Sequence, residues 1–170
     1  MFKQYLLNSI IKEMEIIRRL STKIPDDKMD FRPKEGMRSM RELLQYLSYC
    51  GTGIISFWYR TDGSDIKIFY APITAKAKEL KPEQFVATMD KQIELVKKQF
   101  EKITDDDLYN KEIEYPWKET GKLGEGIMIT SIKWLTAYKM QLFIYLKLCT
   151  DQKLVTPDLW RLTDLQPATV

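Results

Sequence analysis

Not one of the 170 residues is a histidine. The chain therefore offers no imidazole to zinc or nickel and no histidine base to activate a nucleophile. Cysteine is scarce as well. Cys50 and Cys149 stand alone, without CxxC spacing or the framework of a small disulfide-rich domain, and read as two reduced, buried thiols of a cytoplasmic protein. Long apolar runs are missing. The longest, Leu142 to Leu146, has five residues and is followed by Lys147, against the roughly 18 that a membrane span needs. Lys3, Lys12 and Glu13 interrupt the N-terminal segment, so no secretory apolar core forms. Charge of one sign is also lacking. Lysine and arginine number 27 against 24 acidic residues, and the two signs are interspersed, which argues against a nucleic-acid partner. The densest basic pairs, Arg18-Arg19 and Lys97-Lys98, are expected on solvated faces.

What is present is helical periodicity in a chain of one-domain length. Leu6, Ile10, Met14, Ile17 and Leu20 form one stripe, ending near Lys23 because Ile24-Pro25 and Asp26-Asp27 favour a turn. A second helix is predicted from Ser39, with Glu42 three residues on as a capping box. It extends to about Arg60, with a bend or close helix contact at Gly51 and Gly53. A third follows Pro82, with Phe85, Met89, Ile93, Val96, Phe100 and Ile103 in period and a stop at Thr104-Asp105-Asp106. The fourth spans about Glu125 to Leu148, with Met128, Ile132, Leu135, Leu142 and Tyr145 or Leu146 inward. Stretches 61–81 and 105–124 are long connections able to hold short turns or extended pieces. Residues 151–170 read as a tail with a helical turn near Pro157. Four amphipathic helices without a credible sheet predict an all-α four-helix bundle over 1–150.

Two segments resemble the DinB/YfiT-like superfamily. Asp30-Phe31-Arg32-Pro33, then Gly36, then Ser39 to Leu47, is similar to the stretch "D-[FW]-[RK]-P-x-x-G-x-x-S" that leads into the family's second helix. Trp134, Tyr138, Lys139, Gln141, Leu142, Tyr145, Leu146 and Lys147 fall in register with its last-helix pattern "H-x-x-x-H-[RK]-x-Q-[LI]-x-x-Y-L-[RK]". The resemblance implies a four-helix bundle, often a homodimer, in which one histidine of the second helix and two of the last hold a divalent metal; some relatives transfer small-molecule thiols. Here the matching positions are Tyr46, Trp134 and Tyr138. Indole has no lone pair for a metal, and phenol is a poor ligand near pH 7. The expectation is a divergent member with no metal or other cofactor.

Tyr46 and Cys50 lie one turn apart on the second helix, as do Trp134 and Tyr138 on the last, with Gln141 beside them. These five residues are the candidate site. The plainer reading is that the rings fill the volume of a vanished metal centre. The functional reading is a pocket for a small molecule, in which Tyr46 and Tyr138 pair with each other or with Gln141. A metal-independent, thiol-dependent transferase is an alternative and needs an activated Cys50, with Lys139 its one candidate base. A dimeric interaction module is another. Glu13 and Glu42 lack the Glu-x-x-His partners of a di-metal bundle. Gly121 to Gly126 lacks the ending of a phosphate loop and reads as a flexible lead-in to the last helix. Phe57-Trp58-Tyr59 and Tyr115-Pro116-Trp117 read as packing or dimer contacts.

Overall fold

The computed structural model describes residues 1–164. The chain runs through α1 (Phe2–Ser21), α2 (Met40–Cys50), α3 (Gly53–Trp58), α4 (Ile66–Lys78), α5 (Phe85–Lys102) and α6 (Asp105–Asn110). A hairpin of β1 (Glu112–Glu114) and β2 (Thr120–Lys122) follows, then α7 (Leu123–Ile127) and α8 (Lys133–Cys149). The fold is all-α, as expected. No described helix is long and apolar enough to cross a membrane.

The periodic stripes became the core. Leu6, Ile10, Met14, Ile17 and Leu20 are buried on α1, and Phe85, Met89, Ile93, Val96 and Phe100 on α5. α1 and α2 each pack against both α5 and α8, which closes a four-helix ring around one apolar cluster. The capping box formed as read: Glu42 N–H donates to Ser39 Oγ at 3.2 Å, and Ser39 N–H donates to Glu42 Oε2 at 2.7 Å. This pair fixes where α2 begins and how the chain approaches it.

The second helix does not continue to Arg60. It stops at Cys50 and restarts as α3 at Gly53. The break falls at the two glycines where a bend or close contact was expected: a side chain at Gly51 would run into Met14 and Leu135, and one at Gly53 into the Tyr70 ring. The connections are also more regular than expected. Residues 66–78 form the thirteen-residue helix α4. α5 ends at Lys102, just ahead of the stop read at Thr104, and Thr104 also caps a further helix, α6, through Asp107. The hairpin pairs Ile113 with Gly121 antiparallel.

The last helix contains a π turn at Met128–Ile132 between α7 and α8. The extra residue rotates everything before it relative to everything after. Met128, expected inward, is therefore exposed, and Ile132 is only half-buried, whereas Leu135, Leu142, Tyr145 and Leu146 are buried as predicted. The glycine stretch is not a flexible lead-in. Gly124 and Gly126 are buried, Gly126 lying where any side chain would strike Trp58 and Ile113. Trp58 is itself buried and donates from Nε1 to the Glu114 carbonyl at 2.9 Å. Tyr115 is buried and stacks on Trp117 at 4.9 Å, while Trp117 itself remains exposed.

Arg19 is a further correction, since it is not solvated. Its guanidinium reaches Asp158 at 3.6 Å and also pairs with Asp164, while Lys23 meets Asp164 at 2.9 Å. These contacts lay residues 154–160 over α1 and α8, with Leu154 and Leu159 buried. The rest of the expected tail, 165–170, lies outside the described residues.

Candidate ligand site

α2 and α8 bring Tyr46 and Tyr138 into contact, with ring centroids 4.5 Å apart and the ring planes tilted by 56°. Arg38 covers both. Its guanidinium carbon lies 4.5 Å from the Tyr46 centroid and 5.2 Å from that of Tyr138, within cation–π range. Arg38 comes immediately before the cap residue Ser39, so the capping box that starts α2 also sets where this side chain emerges. Its carbonyl is tied down separately: Tyr145 O–H donates to it at 2.8 Å, and Gln141 Nε2 donates to the Tyr145 oxygen at 2.6 Å. Gln141 thus serves Tyr145 and the Arg38 backbone, not the tyrosine pair. Sequence reasoning passed over Arg38, which lies between the periodic stretches of α1 and α2; the capping box beside it was the available signal.

The arrangement disfavours charge on the Tyr46 phenol and on the Cys50 thiol. Burial pushes the Tyr46 hydroxyl well above its ordinary range, with Cys50, Tyr138 and Tyr49 adding to the effect and Arg38 opposing it. Tyr49 and Tyr70 are raised for the same leading reason. Cys50, only 2% exposed, is raised by burial against a smaller pull from Arg38. The one base that sequence offered it is committed elsewhere. Lys139 is buried, pairs with Glu13 at 2.8 Å, and lies 4.3 Å from the Trp160 ring centroid. Cys149, expected buried, is half-exposed. Glu13 and Glu42 are likewise held by separate cations, Lys139 and Arg32, and form no carboxylate pair.

The residues at the positions of the family's metal ligands do not suit a divalent transition metal. Two are tyrosines, one of them strongly disfavoured as phenolate, the third is an indole, and a fixed guanidinium already lies over both phenol rings. No group of three cysteine, aspartate or glutamate side chains with metal-holding geometry occurs among the described residues.

Beside the tyrosines a groove of about 430 Å³ separates α2 from α4. Arg38, Tyr46 and Tyr49 line one side and Thr74, Ala77 and Lys78 the other, with the Arg32–Glu42 pair also at its wall. Of the five residues singled out from sequence, Tyr46 alone lines it. Trp134 and Tyr138 are half-buried against the core, and Cys50 is sealed within it. The α4 wall was missed because the sequence over 61–81 shows no apolar stripe.

No protein-family profile matches the chain, and no curated protein matches it in sequence. In structure it is similar to the crystal structure of a candidate member of the DinB family from Exiguobacterium sibiricum 255-15. The TM-score is 0.66 and the identity 21%, over 90% of this chain and 95% of that one. At that identity the likeness concerns the fold. The chain has the DinB-like bundle fold that its segments at 30–47 and 134–147 resemble.

Proposed function

We propose that this chain is a metal-independent small-molecule-binding protein of DinB-like fold, without catalytic turnover, whose ligand lies in the groove between α2 and α4. The observation that carries this reading is the groove itself, which falls within the size range of small-molecule pockets and sets two tyrosine rings among polar and charged side chains. The adjoining chemistry supports binding over catalysis: burial disfavours charge on the Tyr46 phenol and the Cys50 thiol, and the carboxylate lining the groove, Glu42, is taken up by Ser39 and Arg32. The thiol-dependent alternative is correspondingly disfavoured. Two free cysteines support a reducing, cytoplasmic setting. Thr74→Trp should fill the groove from α4 and abolish binding of small aromatic compounds while leaving the circular dichroism unchanged. Undiminished binding in this variant would remove the groove from consideration.

A second reading, compatible with the first, has its own support. Met140, Ile144 and Leu148 form an exposed apolar stripe on the outer face of α8, the kind of surface a homodimer would cover. Light scattering of the wild type and of Ile144→Glu tests it: a dimer should become a monomer. A wild type that is monomeric at high concentration would sink it.

A further inference from the structure

We infer that the groove selects ligands carrying a carboxylate on a flat, unsaturated body, with Arg38 as the residue that recognises the anion. This inference rests on the groove being the binding site and specifies what enters it. Four charged side chains line the groove, the cations Arg32, Arg38 and Lys78 and the anion Glu42. Glu42 is already satisfied. Its Oε2 accepts from the Ser39 N–H at 2.7 Å and meets Arg32 Nη2 at 2.9 Å. The Ser39 backbone, followed by Arg32, holds its carboxyl below the usual range, so it remains ionised and bound to Arg32. That pair cancels. Arg38 and Lys78 remain, and neither has an acidic partner within ion-pair distance among the described residues.

Arg38 is also prepared for the task. The tyrosine rings attract its guanidinium through their faces and use up none of its N–H donors by doing so. One donor, Nη1, makes a long contact of 3.4 Å to the Tyr138 hydroxyl. A half-buried guanidinium held on two sides, with donors to spare, suits the planar two-point geometry of a carboxylate better than a flexible ammonium would. The aromatic body follows from the rest of the lining, which combines the tyrosines Tyr46 and Tyr49 with the small Ala77.

Calorimetric titration of the full chain with 2-naphthoate and with its uncharged amide, 2-naphthamide, tests this. A charge-assisted hydrogen bond at such a site corresponds to a preference of about tenfold or more for the acid. That preference should shrink with added salt and disappear in Arg38→Gln. Lys78→Gln, on the exposed side of α4, should lower it by about twofold, and keeps the test open if Arg38→Gln does not fold. Equal affinity for acid and amide would overturn the carboxylate assignment and leave the groove a binding site. Failure of both compounds to bind would overturn the assignment and the binding function together.

Discussion

Arg38 places a permanent positive charge above the two phenol rings that stand at the positions of metal ligands in the resembled family. A dication there would meet both weak donors and a like charge. The two obstacles can be separated. Replacing Tyr46, Trp134 and Tyr138 together by histidine should create measurable nickel or zinc affinity, and adding Arg38→Ala should raise it further. A folded quadruple variant with no metal affinity by calorimetry would mean that these three positions do not converge. Cys50 makes a second residue-level prediction. As a buried thiol held protonated, it should stay unlabelled by a thiol reagent at pH 7 in the native protein, while half-exposed Cys149 reacts first. Peptide mapping after brief labelling distinguishes them, and rapid modification of Cys50 would revive the thiol-dependent reading. The approach of Tyr46 and Tyr138 was foreshadowed in sequence by their one-turn spacing from Cys50 and Trp134, which places each on one helix face. Arg38 was not, because its position depends on how the chain enters α2.

Among the elements, legibility followed amphipathicity. α1 and α5 each bury a continuous stripe and emerged from spacing alone, whereas α2 announced itself through its Ser39–Glu42 capping box. α4 has no such stripe. Ala77 is its sole fully buried residue, Ile68 is exposed, and Pro72 interrupts its interior. It packs through Phe69 against Phe57, with centroids 5.5 Å apart, and through Tyr70 against Tyr49 at 6.0 Å. Contacts of this kind cannot be counted from sequence. The π turn was hidden for a related reason: an inserted residue breaks the period without leaving a composition signal. Pro72 removes one helical hydrogen bond and crowds the preceding turn. Since a proline in a helix interior disfavours it by up to about 3 kcal/mol, Pro72→Ala should stabilise α4 and, with it, the groove wall. Hydrogen exchange should show α4 amides opening before those of α1 and α8 in the wild type, and more slowly in the variant. If α4 proves as protected as α1 in the wild type, it is not the weak wall described here.

At the scale of the molecule, the missing histidines and the buried phenols together shape how stability depends on pH. Histidine is the side chain whose ordinary pKa falls between pH 5 and 8, and the chain has none. Stability should accordingly be nearly flat from about pH 6 to pH 8. Above that range the balance changes. Unfolded cysteine and tyrosine release protons around their ordinary values of 9.0 and 10.0, but in the fold burial raises Cys50, Tyr46 and Tyr70 beyond those values and pushes Tyr59 up to about 12. Between pH 9 and 12 the unfolded chain thus binds fewer protons than the native one, and the free energy of unfolding must fall as pH rises. Cys50 alone contributes a slope of about 1.4 kcal/mol per pH unit once the pH passes its unfolded value. The acid side should be shallower. Glu42, Asp107 and Asp164 are held below their ordinary range by hydrogen bonds and by the Arg32, Arg19 and Lys23 charges, but Glu42 and Asp164 are exposed enough for solvent to screen much of the effect. Urea denaturation at unit steps from pH 5 to pH 11 tests the whole profile. A plateau followed by an alkaline decline is expected, and Cys50→Ala should make the first part of that decline shallower, leaving the smaller contribution of Cys149, also raised by burial. A decline already under way between pH 6 and pH 8, in a chain without histidine, would mean that a group with a strongly displaced pKa lies in a part of the molecule these contacts do not identify.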